Sequence, residues 1–177
     1  HFARVIGAIH ALTPEVKVEP LISDLRGDEA ALKTVLDACP DVLAHNVETV
    51  PRLYSAVRVG ADYRRTLTLL ERSKKIAPDI LTKTGFMVGL GETHEQITAL
   101  MKDLRAVGVD LLTIGQYLAP SAAHYPVARY PEPAEYRAWE QEALELGFKG
   151  VASGPLVRSS YRAGALYRKA VCPNKAG

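Results

Sequence analysis

Phe2, Val5, Ile6 and Ile9 recur at the i, i+3, i+4, i+7 spacing of one helical face, so the chain opens on an amphipathic helix. Val16 to Ile22 then alternates apolar and polar residues around Val16, Val18 and Pro20, which predicts a strand. Asp28 is placed to cap a helix whose apolar face is Ala31, Leu32, Val35 and Leu36, and Pro40 stops it. Asp41 to Ala44 reads as a short apolar strand. Arg64 to Ala77 reads as a helix striped by Leu67, Leu70 and Ala77, and Ile80 to Val88 as the next strand. Thr93 and Gln96 stand at capping-box spacing ahead of a helix that buries Ile97, Leu100, Met101, Leu104 and Val107 and ends at Gly108. Leu111 to Ile114 is a further buried strand. Glu135 to Leu146 is a helix carrying Tyr136, Trp139, Ala143 and Leu146, and Val151 to Ser153 is a last short strand. From Arg158 onward the chain is basic and polar.

Strand and helix alternate at a period of roughly 25 to 40 residues, the period of βα units, so the expected class is α/β with a parallel sheet. Four or five strands are too few for a full eight-stranded barrel. The expectation is part of a barrel with strands missing on the N-terminal side. A helix under way at His1 with no capping residue before it agrees with a truncated chain. No repeat, low-complexity tract or linker divides the sequence. Residues 1–161 are taken as one barrel portion that includes a serine motif, and 162–177 as a basic tail.

Composition narrows the function classes. Hydrophobic residues make up 47% of the 177 and charged residues 24%, close to globular averages. A formal net charge of +2 with scattered basic residues argues against nucleic acid and against an anionic membrane surface. No apolar run approaches the ~18 residues of a membrane span, and no secretory signal opens the chain, so a cytoplasmic location is expected. Cys39 and Cys172 make no metal-binding spacing, and Cys39, between a helix and Pro40, is read as a buried structural thiol.

In barrels of this kind the chemistry sits at the C-terminal ends of the strands. The residues there are His45, Asn46, Val47, Glu48 and Thr49, then the Gly85–Glu92 stretch with Met87, Gly89 and Gly91, then Gly115, Gln116 and Tyr117. Arg58 and Arg158 can add positive charge. Each also has an ordinary structural reading. Asn46 and Glu48 can cap a short helix before Tyr54, the glycines can make a tight turn, and His45 can be a satisfied core residue. A phosphate-binding glycine loop wants lysine or bare amides at the helix start, where Glu92 stands instead. Hydroxyls or an ammonium group suit Glu48 and Glu92 better, as a ribose with an amino-acid tail would.

Five segments in order carry a family resemblance: His45–Tyr54, Val57–Tyr63, Gly85–Thr93, Gly115–Tyr117 and Gly154–Tyr161. With them the chain resembles the C-terminal half of lipoyl synthases, which are radical S-adenosylmethionine (SAM) enzymes. The Asn-x-Glu and Gly-x-x-x-Gly-x-x-Glu elements are shared with biotin synthase and its relatives, whereas Arg158-Ser-Ser-Tyr161 is far more specific. The resemblance implies a six-stranded partial barrel, (β/α)6. It also implies two [4Fe–4S] clusters and SAM, whose reductive cleavage leads to insertion of two sulfur atoms at C6 and C8 of a protein-bound octanoyl-lysine. Octanoylated lipoyl-carrier domains, an electron donor and an iron–sulfur carrier would be the partners.

By that resemblance Asn46 and Glu48 hold the SAM ribose and Arg58 its carboxylate. The strand around Met87, with Gly89, packs the adenine, Glu92 supports that loop, and Gln116 is counted among the SAM-binding residues. Ser160, ahead of Ser159, ligates the auxiliary cluster, while Arg158 and Tyr161 hold the tail. Both cysteine triplets of the family are absent, so the chain by itself is expected to be inactive. The alternatives are another sulfur-inserting radical SAM enzyme of biotin-synthase type, or a non-catalytic binding module without clusters.

Overall fold

A computed structural model describes residues 1–172 of the chain; the end of the predicted basic tail, 173–177, lies outside the described residues. Helices α1 (Phe2–Leu12), α2 (Glu29–Leu36), α3 (Tyr54–Val57), α4 (Tyr63–Ile76), α5 (His94–Ala106), α6 (Pro133–Glu145) and α7 (Ala163–Val171) accompany strands β1 (Val42–Ala44), β2 (Leu81–Val88), β3 (Leu111–Gln116) and β4 (Gly150–Gly154). The strands form one parallel sheet in the order β1-β2-β3-β4. This is the expected α/β class, of the kind that makes up a radical SAM-type partial barrel. Local signals act as read: the Asp28 carboxylate accepts the amides of Ala30 and Ala31, and Thr93 and Gln96 make a reciprocal capping box.

Alternation along the strands gives the sheet two unlike faces. Leu43, Phe86, Val88, Leu112, Ile114 and Val151 join the main core with the helices. The opposite face carries cross-strand rows. Ala44, Lys83, Leu111 and Gly150 form one, Gly85, Thr113 and Ala152 the next, and Met87, Gly115 and Gly154 the last, at the C-terminal ends. Small residues crowd the upper rows, where Thr113 and Asn46 lie so close over Gly85, and Val157 over Gly115, that a Cβ at either glycine would clash. At the N-terminal end Val42, Leu81 and Leu111 are covered instead by Leu166 of α7.

Two expectations are corrected, and one helix was not foreseen. Val18 to Ile22 runs parallel to β1, with Ile22 N–H donating to Ala44 O and Ala44 N–H to Pro20 O, yet it makes only an isolated bridge, Leu21 to Ala44, while Val16 still closes a turn to Thr13 O. Pro20 has no N–H to give back, so the ladder lapses there. The polar stretch after Arg158 becomes helix α7 over Ala163–Val171. Cys39 is exposed rather than buried, in a left-handed turn with φ +55° after α2.

Candidate functional site

Because all four strands run the same way, their C-terminal ends share one edge, and an open cleft of about 1260 Å³ lies against it. β1 delivers the first residues. His45 N–H still donates to Lys83 O, but Glu48 pairs with Phe86, donating to Gly85 O and accepting from Met87 N–H. The chain has gained one residue over β2, and Glu48 sits at φ +69°. Such a bulge re-aims side chains at the end of a strand, and here it turns both Asn46 and Glu48 into the cleft.

Asn46, Glu48, Arg58 and Met87 line the cleft together. A Cβ at Gly85 would come 2.4 Å from Thr113 Oγ1 and 3.2 Å from Asn46 Oδ1, so glycine there lets Asn46 lie over the sheet. Burial pushes the Glu48 carboxyl above its usual range, partly opposed by the Arg58 guanidinium, 3.8 Å away, and by Asn46. Arg58 Nε is buried without a hydrogen-bond partner. A half-buried carboxylate short of donors beside a cation short of acceptors suits a zwitterionic ligand that carries hydroxyls.

His45 also faces the cleft but is committed to the fold. Its Nδ1 lies 2.9 Å from Ile22 O and its Nε2 3.2 Å from the Thr66 hydroxyl. A carbonyl only accepts, so Nδ1 carries the proton and Nε2 accepts from Thr66. Burial lowers its pKa, so the ring stays neutral.

The other expected residues stand behind the cleft rather than in it. The buried Glu92 accepts the amides of Gly89 at 2.7 Å and Leu90 at 2.9 Å, fastening the turn after β2. Gly89 has φ +95°, and a Cβ there would meet Gln116 Nε2 at 2.4 Å and Arg129 O at 2.5 Å. Gln116 is spent inside the fold, donating to Tyr117 O and Arg129 O and accepting from Tyr136 Oη. Arg158 donates to Val157 O and Pro155 O. Ser160 is exposed and Ser159 half-buried; Tyr161 borders a separate, smaller hollow between β4, α6 and α7. The serine motif and the Asn46–Glu48 cleft are thus not brought together by the described residues. Among those residues no three His, Cys, Asp or Glu side chains gather as a metal-ligand set.

Sequence reasoning passed over several cleft residues: Asp24, Arg26, Arg65 and His124. The first two belong to a turn in which Leu25, Arg26 and Gly27 all have positive φ, at 48°, 53° and 78°. Left-handed backbone costs a non-glycine residue about 1–2 kcal/mol. Gly27-Asp28 was the visible signal of a turn, but nothing local marked two non-glycine residues as left-handed.

No family model matches the chain. Curated sequences do. A lipoyl synthase of Caldicellulosiruptor saccharolyticus is 55% identical over 92% of this chain and 57% of its own length. One of Desulfotalea psychrophila is 52% identical over 98% of this chain and 58% of its own length, and one of Thermus thermophilus 53% identical over 96% and 53%. The chain therefore spans little more than half the length of the curated relatives it matches, in keeping with a C-terminal half. Among solved structures, methylornithine synthase shares the fold with a TM-score of 0.65 at 17% identity, over 83% of this chain and 42% of that one.

Proposed function

We infer that this chain, similar to lipoyl synthases over nearly all of its length, is a portion of one, and we propose that its cleft is the SAM-binding half of a radical SAM active site. The observation that carries the reading is the convergence of Asn46, Glu48, Arg58 and Met87 on one cleft at the strand ends. Asn46 and Glu48 bond the ribose hydroxyls, and Arg58 takes the carboxylate of the amino-acid tail. Met87 packs the adenine, with Gly89, Glu92 and Gln116 holding the turn behind it. The orphaned Arg58 Nε and the donor-poor Glu48 fit such a ligand.

Bound SAM with its cluster would supply the hydrogen-abstracting chemistry, and an auxiliary cluster the sulfur for C6 and C8 of an octanoyl-lysine on a lipoyl-carrier domain. In this chain Ser160, ahead of Ser159, is the residue offered to that auxiliary cluster, with Arg158 and Tyr161 holding the loop. The cysteine ligands, electron donor and iron–sulfur carrier belong to the proposal for the whole protein.

The test is SAM affinity in the complete protein. Losing a hydrogen bond to a charged group costs ~1.5–3 kcal/mol, or roughly 10- to 150-fold in Kd. Arg58→Ala is expected in that range, and Asn46→Ala, which loses a neutral hydrogen bond worth ~0.5–1.5 kcal/mol, at roughly 2- to 10-fold, both with folding intact. Unchanged affinity in both would refute the assignment.

A further inference from the structure

The turn between the extended edge and α2 holds strain that the roles given so far do not use. Leu25 and Arg26 are left-handed without being glycine. The turn is fixed from several sides. The Asp24 carboxylate accepts the Arg26 amide at 3.0 Å and the Arg65 Nε at 2.5 Å. Gly27 N–H donates to Asp24 O, Asp28 N–H donates to Leu25 O, and Arg72 donates to Gly27 O at 3.1 Å. Five bonds thus hold a backbone that asparagine or glycine would adopt more readily.

What the strained turn delivers is the Arg26 side chain, which lines the cleft. Arg65 is committed to Asp24, and Arg58 stands 3.8 Å from Glu48. Among the described residues the Arg26 guanidinium has neither an ion-pair nor a hydrogen-bond partner. Asp24, Arg26, Glu48, Arg58 and Arg65 therefore set three cations against two carboxylates, leaving one positive charge over. The two acidic groups disfavour a polyanion such as a phosphate chain, whereas one uncompensated guanidinium matches one carboxylate.

We propose that Arg26 is a carboxylate-binding residue of this cleft, presented by the left-handed turn to a carboxylate that arrives with ligand or substrate. The assignment rests on the SAM reading of the cleft. Two sources offer the chemistry: the amino-acid tail of SAM, which Arg26 would share with Arg58, and an acidic side chain on a docked carrier domain.

The experiment compares wild type, Arg26→Asn and Arg26→Lys in the complete protein. Asparagine is at ease in left-handed backbone, so a merely structural Arg26 predicts an Arg26→Asn protein that melts no lower and binds as wild type does. The proposal predicts an unlowered melting temperature with carboxylate recognition weakened roughly tenfold or more, and partial rescue by lysine. One arm measures Kd for SAM and for decarboxylated SAM; an Arg26→Asn penalty seen only with SAM assigns the ligand tail. The other measures KM for an octanoylated carrier domain and for an octanoyl-lysine peptide free of acidic residues; a penalty confined to the domain assigns the carrier's carboxylate. No penalty in either arm overturns the role of Arg26. A wild-type protein that neither binds SAM nor accepts the octanoylated carrier refutes the cleft reading and this assignment with it.

Discussion

The ammonium group of Lys83, on a side chain 1% exposed at the middle of β2, donates to the Glu19 carboxylate at 2.6 Å. It ties the centre of the sheet's open face to the extended edge that Pro20 keeps from becoming a strand. Removing one partner of a buried pair costs ~3–5 kcal/mol because the other charge is stranded. Glu19 retains some water, so Lys83→Ala is expected at the lower end of that range. It should also open the 17–22 segment to proteolysis. Replacing both, as Lys83→Met with Glu19→Gln, is expected to recover most of the stability. Chemical denaturation checks this, and a Lys83→Ala protein as stable as wild type would sink it.

A second tie lies at the base of the sheet. Asp110, its side chain 4% exposed, accepts from Thr82 N–H at 3.0 Å, Lys74 Nζ at 3.1 Å and Lys149 Nζ at 2.8 Å. Burial alone would raise its pKa, but these donors hold it below the usual carboxylate range. A carboxylate depressed in the folded state adds stability that is fully present above its unfolded value of about 3.9 and fades as pH falls through the folded value. Asp110→Asn is expected to lose about 2–3 kcal/mol at neutral pH and to show a flatter acid limb in melting against pH. An identical acid limb would contradict the tie.

Glu48 has the opposite sign. Its raised carboxyl makes the ionised form a burden on the fold, one that lifts as pH falls through the folded pKa. Glu48→Gln is therefore expected to melt no lower than wild type at pH 7 while binding SAM at least about tenfold more weakly. A lowered melting temperature with unchanged binding would make Glu48 a structural residue.

For the serine motif, Ser160→Ala in the complete protein is expected to leave SAM cleavage largely intact and to cut lipoyl product by at least about tenfold. Even groups that only support a metal ligand cost ~10–100-fold when lost. Ser160→Cys is expected to keep a cluster but to turn over poorly, since thiolate holds iron more firmly than a hydroxyl does. 5′-Deoxyadenosine and lipoyl product are followed together. Wild-type yield from Ser160→Ala refutes the ligand role, and a defect confined to Ser159→Ala moves it to the neighbouring hydroxyl.

Local signals were the legible part of this fold. The cap at Asp28, the box at Thr93 and Gln96, and the apolar runs of the four strands are short-range chemistry, and each acts in the structure as its sequence suggests. Cleft residues Asn46 and Glu48 were legible as well, because parallel strands deliver their following residues to one edge; Arg58, which follows α3, was legible through the family resemblance. Helix α7 was hidden by its charges, though Ala163, Leu166, Tyr167 and Ala170 stand at helical spacing. The Lys83–Glu19 tie spans 64 positions, and the partners of Asp110 come from α4, β2 and the loop before β4, so no local window contains either. The left-handed turn at Leu25 and Arg26 breaks local preference and is held by distant Arg65 and Arg72. Sequence reading fails most readily at such strained positions.

Leu166 is seated against Leu111 and beside Gly150, where an added Cβ would lie 3.1 Å from both leucines. β4 ends at the opposite edge of the sheet, at Gly154, four residues and about 13 Å higher. Residues 155–162 are therefore a leash held at the top by the strand and the buried Val157, and at the bottom by α7, where Tyr167 and Ala170 pack beside Leu166. Slack at Ser159 and Ser160 is thus limited from both ends of the sheet, in part by Leu166, a side chain remote from the strand-end cleft.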